Sequence, residues 1–252
     1  MTDPVFIHPI PDPTPAAGEC FSLTGAEAKH AEVKRLEEGE RVVVTDGTSY
    51  AVRGRWRAGG LVEVAETLTM PEPRPRVTVV QAIPKSDRAE LAVDLAVQAG
   101  ADRIVPWAAA RCIAKWGAKE DKARAKWGNA ARSAAKQSRR LVVPEVTELL
   151  KKPKDLDRLV PGESQTVLLL HEEASIPLAK ADLDVDDVVL VVGPEGGIAP
   201  EELEAFRELG GQPVVLGPEV LRTATAAAVA LGALGVLTAR WDGTQNTTYK
   251  KR

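Results

Sequence analysis

Residues 187–197 read DVVLVVGPEGG, an apolar run that ends in a loop with three glycines. An all-apolar run of this length is typical of a strand buried on both faces of a parallel sheet. Similar runs occur at RVTVVQAI (76–83), RIVPW (103–107), TVLLLHE (166–172) and QPVVLG (212–217). Helical patterns lie between and after them, and strands that alternate with helices predict an α/β domain with a parallel sheet.

Four helices are predicted in this part of the chain. The first is capped by Ser86 or Asp87, runs to about Gln98 and is stopped by Gly100. The last helix is almost entirely apolar, so it must be packed on both sides or form an interface. The second, third and last helices cover 118–138, 200–211 and 223–238.

PEPRPR, at residues 71–76, marks a domain boundary, because three prolines in six residues cannot continue a helix or a central strand. The pattern before it is β-rich. RVVVTDG (41–47) closes on an Asp-Gly turn signal, and a short helix is predicted over 25–36. We therefore expect a small barrel-like or sandwich module over 1–73 and the α/β domain over 74–252.

The composition narrows the classes of function. Hydrophobic residues make up 44% of the chain, and the two cysteines, Cys20 and Cys112, lack the spacing of metal ligands or of a disulfide framework. The start, MTDPVFIHPIPDPTP, has no basic n-region, and no window reaches the roughly 18 apolar residues of a membrane span. We expect a soluble cytoplasmic protein without metal or membrane contact.

The charge is distributed unevenly. Between Arg111 and Arg140 there are ten basic and two acidic residues, a local charge of +8 in a chain whose net charge is −3. This asymmetry favours a polyanion-binding face, although charge runs are usually solvated helix surfaces. One strand carries an arginine at every second position, so the three side chains share one face: Arg53, Arg55 and Arg57. This face could bind phosphate or simply be exposed to solvent.

Three loops follow predicted strands at their carboxyl ends, at 171–173, 193–197 and 217–219. Ligands of open parallel sheets bind beyond that edge. Glycines permit close backbone approach, so GPEGG can offer backbone groups to a flat ligand such as an adenine. The chain has neither a GxxxxGK[ST] nor a GxGxxG motif, which disfavours pyrophosphate. A structural turn remains the alternative for any single loop.

LVVGPEGGIAPEELEAF (190–206), followed by LGPEVLRTATAAAVAL, closely resembles the end of the bacterial 16S ribosomal RNA uridine-N3 methyltransferases. These are SPOUT-superfamily enzymes that use S-adenosylmethionine. AIPKSDRAELAVDLAVQAGADRIVPW, RCIAKW and KWGNAARSAAKQSRRLVVPEV resemble further segments of the family, and HAEVKRLEEGERVVVTDG resembles its N-terminal domain. The resemblance implies a SPOUT-type, trefoil-knotted parallel-sheet methyltransferase domain preceded by a small β-rich PUA-like RNA-binding barrel. It also implies an obligate homodimer and methylation of one uridine of the small ribosomal subunit at N3.

The resemblance also implies the residues of the cofactor pocket by position. For catalysis we expect an arginine that stabilises negative charge on the uridine, first Arg222, beside the cofactor loop, and then Arg140, on the basic segment, with phosphate binding as the alternative for Arg140. The implied S-adenosylmethionine pocket is lined by Leu170, Gly193, Glu195, Gly196, Gly197, Leu216, Gly217, Leu221, Arg222 and Thr223. RNA contacts are expected from Arg53, Arg55, Arg111, Lys115, Arg124, Arg132, Arg139, Arg140 and the tail at 250–252.

Four positions depart from the family pattern. Gln98, Lys136 and Ala224 stand where the family has carboxylates, and Ala199 stands where Ser or Thr commonly caps a helix. We expect these departures to be structural. Two other functions stay open, a SPOUT methyltransferase that acts on another RNA such as tRNA, and a non-catalytic RNA-binding ribosome-assembly factor.

Overall fold

The computed structural model describes residues 3–85 and 88–242, which divide into two compact units. The described part of the first unit comprises 3–72 and 135–143, and that of the second comprises the remaining residues from 73 to 242. The predicted caps Ser86 and Asp87 and the basic tail at 250–252 lie outside the described residues.

The first unit is a five-stranded sheet with one helix. The strands pair in the order β1-β3-β4-β5-β2, with β1 parallel to β3 and the other pairs antiparallel. The sequence did not predict β1 and β2, because three residues are too few to show alternation. The elements are β1 Val5–Ile7, β2 Cys20–Ser22, α1 Gly25–Val33, β3 Arg41–Thr45, β4 Ala51–Arg57 and β5 Leu61–Leu68.

Residues 135–143 lie with this unit, whereas the sequence boundary assigns them to the second domain. The Thr45 hydroxyl donates to the carbonyl of Leu141 at 2.6 Å, and the Val143 N–H donates to the carbonyl of Gly47 at 2.8 Å. Leu141 is buried against this sheet. Residues 135–143 therefore belong to the first unit through contacts with strands that are distant in sequence.

The second unit contains a six-stranded sheet in the order β11-β9-β10-β6-β7-β8, with every pair parallel. The predicted parallel-sheet α/β domain is confirmed. Val192 at the end of β10 lies opposite Leu170 of β9 and Gln81 of β6. The carboxyl ends of these strands are therefore level. The strands are β6 Arg76–Ala82, β7 Arg103–Trp107, β8 Glu145–Val146, β9 Gln165–Leu170, β10 Asp187–Val192 and β11 Gln212–Val214.

The last helix of this unit packs against its first helix and against β6 and β10 of the sheet. No helix among residues 3–85 and 88–242 is long and apolar enough to cross a membrane. The four predicted helices are present, with ends that differ by at most three residues, and a short fifth was not predicted. They are α2 Ala89–Gln98, α3 Glu120–Gln137, α4 Leu156–Leu159, α5 Pro200–Glu208 and α6 Thr223–Leu237.

Candidate active site

A cavity of about 740 Å³ opens at the carboxyl edge of the parallel sheet. The loops after β9, β10 and β11 line it together, as their shared position relative to the strands predicts. All ten residues implied for the cofactor pocket lie in its wall. They are Leu170, Gly193, Glu195, Gly196, Gly197, Leu216, Gly217, Leu221, Arg222 and Thr223.

The loop at 193–197 depends on its glycines. A Cβ atom on Gly193 would lie 2.8 Å from Cγ1 of Ile198, which is itself buried. Gly197 has a φ of 73°, which favours glycine, and its N–H donates to the carbonyl of Pro194 at 2.9 Å. The loop is a tight turn whose backbone, rather than its side chains, faces the cavity at these positions.

Replacing Gly193 with alanine is expected to weaken S-adenosylmethionine binding at least about tenfold, because the new methyl group displaces Ile198 and with it the loop. Calorimetry measures the affinity. Gly128→Ala is the matched control, since a Cβ atom there meets nothing within 4 Å. Equal affinities in the two variants would contradict the role of the loop.

The loop after β7 is bonded to the glycine loop and to the start of α5. Arg111 donates from Nη1 to the carbonyl of Gly196 at 3.0 Å. The carboxylate of Glu202 accepts the Ala110 N–H at 2.8 Å through one oxygen and the Ala199 N–H at 3.3 Å through the other. Glu202 thus satisfies a backbone donor at the start of α5, where Ala199 has no side-chain oxygen to cap the helix.

Cys112 holds the loop after β7 against the core of the second unit. Its side chain is buried in the core of the second unit beside Trp107. Burial raises the pKa of the Cys112 thiol, so the sulfur stays protonated and is not a nucleophile. The neighbouring Arg111 is exposed. The loop is therefore held by the buried Cys112, while the guanidinium of Arg111 faces solvent and the cavity.

Arg222 lies in the cavity wall immediately before α6. Its carbonyl accepts the N–H groups of Thr225 and Ala226 at 2.9 and 3.0 Å, which fixes its backbone. Within the described ranges its guanidinium has no hydrogen-bond or ion-pair partner. An unpaired guanidinium on a fixed backbone can meet negative charge that develops in a bound substrate.

Arg140, the second catalytic candidate, belongs to the first unit with Arg139. Arg139 has a φ of 59°, a left-handed conformation that glycine usually supplies at helix ends. The Arg140 N–H donates to the carbonyl of Ala135 at 2.8 Å and so closes α3. Sequence pattern gave no sign of this conformation, because no glycine marks it.

The departures from the family pattern have structural accounts. Gln98 donates to Asp94 at 2.7 Å, and Lys136 donates to both carboxylate oxygens of Glu27 at 2.8 and 2.9 Å. Ala224 is buried in the first turn of α6. In the part of the chain that the structure describes, no group of three or more His, Cys, Asp or Glu residues could hold a metal ion.

The arginines of β4 are largely engaged by their own unit. Arg53 forms ion pairs with Asp3, at 3.4 Å, and with Glu66. Arg55 donates to the carbonyl of Gly39 at 3.1 Å. The arginines of β4 therefore leave less positive charge available to an RNA phosphate than the sequence indicates.

A parallel sheet whose loops build a cavity at the carboxyl edge is typical of α/β proteins that bind a small ligand at this edge. A family model described as an RNA methyltransferase domain matches residues 71–235. The ribosomal RNA small subunit methyltransferase E of Mycobacterium bovis is 47% identical over 240 residues, which cover 92% of each protein. The chain belongs to this rRNA methyltransferase family, which confirms the resemblance seen in the sequence.

Two solved structures are similar over nearly their full length. The ribosomal RNA small subunit methyltransferase E of Neisseria gonorrhoeae, bound to S-adenosylmethionine, has a TM-score of 0.80 and 27% identity. A methyltransferase of Legionella pneumophila, also with bound S-adenosylmethionine, has a TM-score of 0.78 and 27% identity. Each comparison covers 94% of this chain and 98% of the other.

Proposed function

We propose that this protein methylates N3 of one uridine in the 16S rRNA of the small ribosomal subunit, with S-adenosylmethionine as the methyl donor. Membership of the family makes it an S-adenosylmethionine-dependent rRNA methyltransferase. The observation that carries the proposal is a cavity in which the glycine loops lie beside Arg222, whose guanidinium has no partner among the described residues.

The cavity wall suits a nucleoside cofactor. A Cβ atom on Gly193 or on Gly196 would lie 2.8 or 3.2 Å from a neighbouring side chain, so glycine at both positions lets the loop keep its tight turn. When bound, S-adenosylmethionine supplies an activated methyl group. The chain supplies the backbone of 193–197 and 216–217 to hold it and Arg222 beside the place of transfer.

Uridine N3 is a poor nucleophile, because it carries a proton and is conjugated to two carbonyl groups. Loss of that proton spreads negative charge onto O2 and O4. A fixed guanidinium next to this charge lowers the barrier, and holding N3 in line with the methyl group supplies much of the remaining acceleration. Arg222 is our candidate for the guanidinium. Arg140 keeps two possible roles, catalysis and phosphate binding.

The methyl acceptor is tested by mapping tritiated methyl groups. Small subunits from a strain that lacks the enzyme, naked 16S rRNA and tRNA are each incubated with the protein and labelled S-adenosylmethionine. Label at one uridine N3 of 16S rRNA is expected. Label in tRNA would favour the first alternative function. Calorimetric binding of S-adenosylmethionine without label in any RNA would contradict the assignment, and absence of both would favour a non-catalytic assembly factor.

We also infer a trefoil knot in the second unit. β11 lies at one edge of the sheet beside β9, whereas α6 returns to β6, where Gln81 donates to the carbonyl of Thr223 at 3.4 Å. This return path past the loops after β9 and β10 supports the inference. A crystal structure tests this inference. A chain path in which no segment passes through a loop formed by another segment would contradict a knot.

We assign RNA binding to the basic stretch 111–140 and to the first unit, which we infer to be a PUA-like domain. Lys115, Arg124, Arg132 and Arg139 supply charge in that stretch. Binding of small subunits is expected to weaken steeply with salt, because phosphate contacts release counterions. Filter binding across salt concentrations measures the slope, and Lys115→Ala should reduce it by about one. A flat response would contradict this surface.

We infer that the protein is a homodimer that pairs through α6. Val229 and Val236, seven residues apart, lie on one face of this helix with exposures of 48% and 75%, and Leu237 is also exposed. Leu91 of α2, the helix packed beside α6, is a further exposed apolar residue. Exposed apolar residues on neighbouring helices favour an interface at this surface.

Replacing both Val229 and Val236 with aspartate is expected to convert the dimer into a monomer, because the paired surface would bury uncompensated charges. Light scattering after gel filtration measures the mass. Val33→Asp in α1 is the control, since Val33 is 80% exposed and belongs to the other unit. A double variant that stays dimeric would exclude this face.

A further inference from the structure

Arg111 belongs to two surfaces at once. It begins the basic stretch 111–140, and its side chain also lines the cavity. A guanidinium has five N–H donors. Within the residues described, that of Arg111 has one hydrogen-bond partner, the carbonyl of Gly196. Its remaining donors are therefore open to a ligand.

The position of Arg111 is fixed from several sides. Ala110, one residue before it, is bonded to Glu202, and Cys112, one residue after it, is buried in the core. A Cβ atom on Gly196 would lie 3.2 Å from Cβ of Arg111, so the arginine stem packs directly on the glycine loop. A shift of the Arg111 side chain must therefore displace the glycine loop, and a shift of the loop must displace Arg111.

The guanidinium geometry allows it to serve two acceptors. It is planar, and its donors point along separate edges, so one edge can hold a carbonyl while another binds a phosphate in a bidentate manner. A lysine ammonium at this position is a point charge on a flexible stem. It can attract a phosphate, but it does not hold both acceptors in a fixed relative geometry.

Resting on the proposed function, we propose that Arg111 couples the binding of RNA to the binding of the methyl donor. One edge of its guanidinium holds the Gly196 carbonyl and so keeps the glycine loop in the conformation that receives the donor. The other edge contacts an RNA phosphate. Each contact restricts the same side chain, so the ligand that binds first lowers the entropic cost of ordering for the second. The two ligands then bind with positive cooperativity.

The coupling is measured through its reciprocity, since the donor must tighten RNA binding by the factor by which RNA tightens donor binding. The probes are sinefungin, an unreactive analogue of S-adenosylmethionine, and small ribosomal subunits from a strain that lacks the enzyme. Filter binding gives the affinity for subunits with and without saturating sinefungin. For the natural protein the ratio of the two affinities is expected to be at least about fivefold.

Three variants separate coupling from charge. Arg111→Lys keeps the charge and should retain most of the affinity for subunits, but its ratio should fall to about one. Arg111→Ala should lose affinity and the ratio together. Lys115→Ala, four residues further along the same basic stretch, should lose affinity while it keeps the ratio of the natural protein. Thermal unfolding confirms that each variant is folded.

The proposal is overturned if Arg111→Lys or Arg111→Ala keeps the full ratio, or if the natural protein binds both probes with a ratio of one. A failure of the proposed function looks different, because the natural protein would then not bind sinefungin or would not bind subunits at all. If Arg111→Ala does not fold, Arg111→Lys and Lys115→Ala still decide the question.

Discussion

Arg222→Ala is expected to lower the single-turnover rate of methyl transfer about 10²–10³-fold while the protein stays folded. The guanidinium lies in the cavity wall and has no partner among the described residues, so its removal breaks no internal contact. What is lost is stabilisation of the charge that forms on the uridine carbonyl groups. The loss should appear in the rate of transfer rather than in the affinity for S-adenosylmethionine.

The measurement uses saturating enzyme and tritiated S-adenosylmethionine with small subunits as substrate. Arg207→Ala is the matched control, because Arg207 lies on the exposed surface of α5 and pairs with Glu204 at 3.4 Å. Its rate should match that of the natural protein. A near-normal rate for Arg222→Ala would refute the catalytic role, and Arg140 would then become the first candidate.

Parallel pairing explains why so much of the cavity could be predicted. Apolar runs such as those at 165–170 and 187–192 are typical of parallel strands buried on both faces, and their level register brings the loops that follow them to one edge. The glycine loop at 193–197 and the loop before α6 meet for that reason. The residue-by-residue assignment of the wall came from the family motifs, which pattern alone does not supply.

Contacts between distant segments could not be predicted. The bond from Arg111 to Gly196 and the ion pair between Lys136 and Glu27 join residues 85 and 109 positions apart. Nothing in the periodicity of either segment marks its partner. For the same reason the sequence assigned Arg111 only to the RNA surface and gave no sign that 135–143 contact the first unit.

The buried ion pair of Arg240 carries the largest expected effect on stability. Arg240 follows α6 and is only 7% exposed in its side chain. It donates to Asp102 at 2.8 Å, to the carbonyl of Gly100 at 2.6 Å and to that of Pro75. The same oxygen of Asp102 accepts the Val77 N–H at 2.8 Å. One guanidinium thus joins the end of α6 to the starts of β6 and β7.

Arg240→Ala should therefore lower the free energy of unfolding of the second unit by about 3–5 kcal/mol, because it removes the cation that pairs with the buried Asp102 carboxylate and the hydrogen bonds to two carbonyls. Denaturant titration measures the change. Arg158→Ala is the control. Its pair with Glu148 at 3.1 Å is exposed on both sides and should contribute no more than about 1 kcal/mol.

A cycle with Asp102→Ala distinguishes the pair from the burial of a single charge. Removing either partner alone leaves the other charge buried, so the double variant should be less destabilised than the two single losses added together. If Arg240→Ala costs no more than Arg158→Ala, the guanidinium does not hold the end of α6. In that case the packing of Trp241 against Gly235, which a Cβ atom on that glycine would disrupt, becomes the next contact to test at this end of the helix.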